Sequence, residues 1–457
     1  MTVTTEAKNK HKLSAVTKEH GFIGYEDITT PYTIFNTDME NYYIVLESGK
    51  LDGDELFRAI SKFIASQTKN AFDINMDSFK KVVGMSNHDT MANVVVNAIE
   101  YGSVTPWSAK TTQSKSLNHQ FLVSCQNCIA KASERKVVAE DRTFARRLQD
   151  MPSNQMTPGA FVREMTKHFE GLNVKISVLN RKELEDKGMN LLVGVGQAAE
   201  KDDDQPRLMV VEYLGNPDNR EQLIGFVGKG VCFDTGGMNV KPGNHMRWMK
   251  YDMSGAAIVG STVHALAKNQ IKVNAVAVMP LVLNLADTNA IRPDDVLVSY
   301  NGMTVEIDNT DAEGRLILAD AITYAIRDLK VNEIYDIATL TGAMIYALGD
   351  TYTGVWASSD ELWNNIQLQA DNAGELVWRL PFHHDFKDLL KSKYADIANS
   401  VSDARGGSSR AAMFLKEFTE GLPYGHFDIA ATGDKGNTGT GAMLNVFYNI
   451  AKSKQSM

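Results

Sequence analysis

Cysteine is scarce in this chain: Cys125, Cys128 and Cys232 are too few, and odd in number, to build a disulfide framework. Cys125 and Cys128 do form a C-x-x-C. A redox role needs a neighbouring thioredoxin-like strand–helix–strand pattern and a zinc role needs a second pair, and neither is present. The two therefore read as small apolar residues at a helix entry. Long apolar runs are also missing, with nothing near the roughly 18 uninterrupted residues of a membrane span. The opening MTVTTEAKNKHKLSAVTKEHGF lacks the apolar centre of a secretory signal. Positive charge is not in excess either. A net charge of −9 and a pI near 5.6 argue against a generic nucleic-acid binder and against docking on anionic lipid. The expectation is a cytoplasmic protein with neither nucleic acid nor membrane as partner.

What is present is ordinary globular chemistry, 43% hydrophobic and 23% charged residues. At 457 residues there is room for two or three domains. No repeat or low-complexity segment is visible. Up to about Asn118 short strands and helices alternate, such as Tyr42–Ser48 as a strand and Asp54–Gln67 as a helix. The histidines there (His11, His20, His88) are scattered. Ser124–Gln149 is rich in Ala, Lys, Glu and Arg and predicts a long helix, broken by Met151-Pro152-Ser153-Asn154. Beyond it Val174–Leu179, Leu208–Tyr213, Gln222–Val227, Val273–Pro280 and Ile334–Ala338 read as strands. Pro158–Glu170, Ser254–Lys268 and Leu316–Leu329 read as helices between them. The predicted fold class is α/β: a smaller N-terminal α/β domain (1–122), a linker helix (123–150) and a larger C-terminal α/β domain (151–457). The last carries a central, mostly parallel or mixed sheet. Ligands of such sheets gather beyond the carboxyl ends of strands, which directs attention to the turns there.

Three of those turns are chemically unusual. In GFVGKGVCFDTGG (225–237), Lys229 sits between glycines in an apolar strand region and Asp234 precedes paired glycines. Lys229 either escapes to solvent at a turn or is held where it can lose its proton and act as an amine ligand or base. In KPGNHMRWMKYDMSGAA (241–257), Asp252 stands before a helix that starts with small residues. It is either an ordinary N-cap or part of a compressed site, since Gly255, Ala256 and Ala257 allow close approach to the sheet. In IDNTDAEGRL (307–316), Asp308, Asp311 and Glu313 crowd ahead of Arg315 and an apolar helix. An extended segment would send Asp311 and Glu313 to one side; the alternative is a solvated acidic turn. Together Asp234, Asp252, Asp311 and Glu313 carry four negative charges, which two divalent cations would neutralise. Carboxylates without histidine favour Mg, Mn or Zn. Two such ions about 3.5–4 Å apart can hold a bridging hydroxide and polarise a carbonyl. Lys241 and Arg315 remain as cations for a developing oxyanion or a bound anion. Such a constellation is a hydrolase site.

The motifs themselves resemble the leucine (cytosol) aminopeptidases. NTDAEGRL (309–316) looks like that family's signature, and VGKGVxFDTGG (227–237), KPG (241–243), MKYDM (249–253) and ATLTGA (338–343) agree in order and spacing. So do RGG and AAxFL within 405–415, HFDIA (426–430) and KGxTG (435–439), so that the resemblance covers roughly 140–457. It implies that residues 151–457 form a dinuclear metallopeptidase domain, and it adds bicarbonate to the candidate cofactors, with Zn or Mn as the expected ions and Co or Mg as alternatives. Lys229, Asp234, Asp252 and Glu313 resemble the ligands of the looser metal. Asp234, Asp311 (side chain and carbonyl) and Glu313 resemble those of the tighter one. Lys241 resembles the electrophilic lysine, and Arg315 the holder of a bicarbonate that acts as general base. Met249, Asn309, Thr339, Leu340, Thr341 and Gly342 fall at substrate-lining positions. The implied reaction removes one residue, leucine or a similar apolar one, from the unblocked N-terminus of a short peptide. The implied assembly is a homohexamer, a dimer of trimers, with the N-terminal domain outside.

Four sites depart from the family pattern: Ser254 for a glycine, Met238-Asn239-Val240 for Leu-Ser-Leu, Asp150-Met151 where an Asn is usual, and Ala198-Ala199 for Gly-Ser. Several features are decoys. Gly433–Gly441 lacks the spacing of a phosphate loop, Gly194-Val195-Gly196 is too short for a dinucleotide fingerprint, and His245, His383 and His384 read as surface histidines. The rival readings are a DNA-binding regulator, which the acidic balance disfavours, and a dinuclear phosphoesterase, which the lysine ligand disfavours.

Overall fold

A computed structural model describes residues 1–19, 22, 27–111, 117–123, 126–219, 221–403 and 405–456. His20, Ser124 and Cys125 lie outside them. The chain packs as two compact units, Met1–Thr143 with Leu368–Leu376, and Phe144–Gln367 with Val377–Met457. The division falls inside the long helix Gln126–Asp150. Ala139 of that helix belongs to the core of the first unit, whereas Gln149 bonds within the second.

The first unit holds β1 (Thr2–Thr4), β2 (His11–Thr17), β3 (Ile34–Asn36), β4 (Asn41–Leu46), β5 (Phe72–Asn75) and β6 (Gln120–Leu122). They form a sheet in the order β1-β6-β5-β2-β4-β3, parallel except at β3. The helix Gly53–Ser66 starts one residue before its predicted bound because Asp52 caps it, accepting from Glu55 N. Its buried Leu56, Ile60 and Ile64 recur every four residues and so face one core.

The second unit holds β7 (Lys175–Leu179), β8 (Arg207–Leu214), β9 (Ile224–Gly228), β10 (Gly230–Asp234), β11 (Asn274–Asn284) and β12 (Val296–Val298). It continues with β13 (Thr304–Glu306), β14 (Glu333–Ala338), β15 (Thr353–Ala357), β16 (Val377–Arg379), β17 (Ile397–Ala398) and β18 (Tyr424–Asp428). The main sheet runs β16-β15-β18-β14-β9-β11-β8-β7, with β10 also on β11. The run from β18 to β11 is parallel, β15–β18, β11–β8 and β8–β7 are antiparallel and the outer β15–β16 pair is parallel, so the sheet is mixed with a parallel heart. Every residue of β11 is buried, as expected of a strand covered on both faces. It runs past Pro280, where the sequence suggested an end. Pro280 falls between Ala275–Val278, which pair with β9, and Leu281–Asn284, which pair with β10, so the proline stands where that ladder is already interrupted.

The interruption is Lys229. Its N–H turns to Ile337 O of β14 (3.1 Å), and its carbonyl accepts from Ala256 N of the helix Ser254–Lys268 (2.8 Å). That close approach depends on glycine. A Cβ at Gly228 would lie 2.3 Å from Gly255 O, and one at Gly255 would lie 2.1 Å from Ile337 O. The small residues predicted to bring this helix onto the sheet thus press its first turn against the strand ends. Gly255→Ala should cost about 1–3 kcal/mol through overpacking against backbone that cannot yield, read as a lower urea midpoint. An unchanged midpoint would show that the helix is free to shift.

Candidate metal centre

Strand β9 delivers Lys229 just past its carboxyl end, β10 ends on Asp234, and β14 runs into Thr339. The glycines after Asp234 take φ of +87° and +61°, which folds the chain back so that Gly236 N donates to Asp234 Oδ1 at 2.8 Å. Asp252 lies in the short turn Met249–Met253 ahead of the helix, and it is not the cap: Met253 occupies that position without a side-chain bond. Its Oδ1 instead accepts from Thr339 Oγ1 at 2.7 Å.

The NTDAEG segment is not extended, so strand alternation does not place Asp311 and Glu313. Asn309 closes a turn, with its Oδ1 accepting from Asp311 N (2.8 Å) and its carbonyl from Ala312 N (3.1 Å), and the helix Gly314–Arg327 begins at once. The turn sends the two acids to two different lysines. Lys229 Nζ is 2.8 Å from both Asp252 Oδ1 and Glu313 Oε1, and donates to Thr339 O at 2.9 Å. Gly314 leaves room for it, since a Cβ there would meet Lys229 Cε at 2.7 Å. Lys241 Nζ is 2.7 Å from Asp234 Oδ2 and 2.6 Å from Asp311 Oδ1.

Lys229, Asp234, Asp252 and Glu313 are all buried. Taking such charges out of water is expensive, so their protonation is strained. Burial alone would push Lys229 down, but Asp252, Glu313 and Asp234 outweigh it and hold it charged. Lys241 is likewise driven up by its carboxylate neighbours against burial. Burial and then the nearby Asp234 carboxylate raise Asp311 to about 6 and Glu313 to about 7. Burial raises Asp252 too, against the pull of Lys229. Four carboxylates against two ammonium groups leave negative charge uncompensated, and Asp252 Oδ2 is buried with no hydrogen-bond partner among the described residues. One carboxylate oxygen each from Asp234, Asp252 and Glu313 lies within 4.8 Å of the others, close enough for a shared ion. The donor set of hard oxygens plus one amine fits divalent cations.

Arg315, at the start of its helix, donates from Nη1 to Asn399 O at 2.6 Å, while its Nε is buried without a hydrogen-bond partner among the described residues. Burial draws it down to about 10 against the pull of Glu313. A buried guanidinium with a bare N–H fits a small anion. Of the predicted substrate-lining residues, Thr339 touches the cluster through Asp252. Thr341 Oγ1 is turned to Asp428 Oδ2 (2.6 Å), Leu340 and Met249 are half-buried, and Gly342 is exposed. The Asn309 side chain is committed to its turn.

Two further partners, Asn284 and Asn399, carried no local signal, and Asp428 stood in the HFDIA stretch without an assigned role. Asn284, at the end of β11, donates to Asp234 Oδ1 (2.8 Å) and Thr310 O (3.1 Å). Asn399 accepts from Asp308 N (2.9 Å) and donates to Asn309 O (2.8 Å). Asp428 accepts from Leu340 N (3.2 Å) and Ala430 N (3.0 Å). The departures have been built in. Asn239 exchanges bonds with Thr310 (2.8 Å each way), Ser254 Oγ accepts from Gln149 Nε2 (2.6 Å), and Asp150 Oδ1 accepts from Gly439 N (2.7 Å). Of the segments set aside in the sequence, His383 and His384 lie with Asp385 close enough to share an ion, on an exposed surface. Gln149 engages Gly433 O (2.9 Å) and Gly441 N (3.0 Å) of the glycine-rich loop, the segment Gly194–Gly196 is helical, and His245, His383 and His384 are exposed.

Residues 143–448 match the family described as "Cytosol aminopeptidase family, catalytic domain". A probable cytosol aminopeptidase of Mycoplasma pneumoniae is 47% identical over 397 residues, covering 86% of this chain and 88% of its own length. One of Mycoplasma genitalium is 46% identical over 401 residues, with the same coverage. Solved structures of the bottromycin maturation enzyme BotP, one of them in complex with Mn, share the fold with a TM-score of 0.85 at 25% identity. They cover 98% of this chain and 100% of theirs.

The raised carboxyl groups and the protonated lysines set a pH dependence for cation binding. A divalent ion must displace protons from Asp311 (about 6), from Glu313 (about 7) and from any lysine that ligates. Mn affinity should therefore rise between pH 5.5 and 8, with proton release visible as a buffer-dependent heat in titration calorimetry. A pH-independent affinity would contradict this electrostatic picture.

Proposed function

The chain belongs to the cytosol aminopeptidase family, and on that footing we propose that it is a two-metal leucyl aminopeptidase acting on short peptides. The observation that carries the reading is the placement of Lys229 and Lys241 among four carboxylates beyond the strand ends, with a carboxylate oxygen left over. In this reading Lys229, Asp234, Asp252 and Glu313 hold one ion. Asp234, Asp311 and Glu313 hold the other, so Asp234 and Glu313 are shared. Zn or Mn are the preferred ions, with Co or Mg able to substitute. When bound, such a pair supplies Lewis acidity and a hydroxide nucleophile at neutral pH.

The chain's own residues do the rest. Lys241 bridges Asp234 and Asp311, the carboxylates assigned to one ion, so a cation there has to exchange with this ammonium. Released, Lys241 donates to the oxygen on which charge develops. Arg315 holds bicarbonate, whose role is that of general base. Met249, Asn309 and Thr339–Gly342 line the substrate, with Thr339 tied to Asp252 and Thr341 to Asp428. Leucine preference, a requirement for an unblocked N-terminus, a homohexameric assembly and a cytoplasmic location belong to the same reading, supported by family membership.

The test is hydrolysis of Leu-p-nitroanilide by metal-stripped protein with Mn, Zn, Co or Mg added back. Activity should need metal, vanish in Glu313→Ala and spare the N-acetylated substrate. Silence under all four ions, across a panel of N-terminal residues, would contradict the proposal. Lys241→Met should lower kcat about 100-fold while bound metal is retained; an unchanged kcat would remove Lys241 from the chemistry.

A further inference from the structure

The motif stretch 405–415 includes an arginine out of place in a core. Arg410, on the first turn of the helix Gly407–Lys416, is 5% exposed. Its Nη2 donates to Asp403 O, and its Nη1 is buried with no hydrogen-bond partner among the described residues. Arg315, 8% exposed, shows the same pattern from the helix Gly314–Arg327: one N–H on Asn399 O, and Nε buried without a partner. The two guanidiniums thus grip opposite ends of one short loop, at Asn399 and Asp403, from helices that pack against each other. Each keeps one buried nitrogen unspent among the described residues. Asp403 and Asp308 act on Arg410, and Glu313 and Asp428 act on Arg315, yet none accepts from the two bare N–H groups.

Two buried like charges, each with an unsatisfied donor, are costly unless an anion supplies the acceptors. We propose that Arg410 joins Arg315 in a two-arginine cradle for a small oxyanion, and is a second protein contact of the bicarbonate. The proposal rests on the reading of Arg315 as the bicarbonate holder. Two planar guanidiniums match the flat, multiply accepting edge of a carbonate-type ion in a way that one ammonium does not.

The experiment is equilibrium dialysis of the Mn-loaded protein against radiolabelled bicarbonate, with bound Mn counted in every sample. Wild type should bind the anion, Arg315→Met should lose it, and Arg410→Met should weaken it about tenfold or more with Mn content unchanged. Arg410→Lys, which keeps the charge but not the fork, should fall between. Wild-type affinity in Arg410→Met overturns the proposal and leaves Arg315 as the holder. If Arg410→Met does not fold, undiminished affinity in Arg410→Lys overturns it equally. No binding by wild type refutes the Arg315 reading, and the Arg410 proposal with it.

Discussion

Four carboxylates and two lysines in mutual contact, with Lys229, Asp234, Asp252 and Glu313 packed out of water, impose the constraint on which the second unit is built. Each ammonium is clamped by a pair of acids at 2.6–2.8 Å, and the pairs share one small volume. Buried ion pairs of this kind rarely repay their desolvation. A fold that retains them needs a reason beyond stability, and a cation site supplies one. The surrounding backbone is organised to make the cluster possible. Parallel strands end together, glycines at 228, 255 and 314 let helix and lysine approach, and the turn at Asn309 splits the acids between two partners.

The elements were largely legible because their signals are local. Ser254–Lys268 was bounded as it stands, and the apolar runs of the second unit became strands within a few residues. Where β11 outran its prediction, the reason was a broken neighbouring ladder, which no property of Pro280 reveals. The candidate site divides the same way. Lys229, Asp234 and the Asp311–Glu313 pair stand out as charges in apolar or glycine-rich company, so their types and spacing could be read. How Asp311 and Glu313 are oriented could not be, because a side-chain turn at Asn309 decides it. Asn284 and Asn399 are invisible locally, because each reaches the site across tens of residues of chain; Asp428 stood in a recognised motif, but its bond to Leu340 N could not be read from it.

The two lysines also show how one residue type takes two roles. Lys229 is fixed on all sides, by Asp252, Glu313 and the Thr339 carbonyl, as suits a group that stays. Lys241 follows a glycine-rich turn, is less buried, and is held by carboxylates alone, as suits a group that moves aside. That contrast is written into backbone context rather than into the lysines themselves.

Metal stoichiometry tests the central claim most directly. Protein stripped and then saturated with Mn, freed of excess ion and analysed by plasma mass spectrometry should carry about two ions per chain. Asp252→Asn, which removes a charge from one proposed ion only, should carry about one. Less than one ion per wild-type chain, or no loss in the variant, would mean that the buried carboxylates are held by their lysines alone and are not a two-cation site.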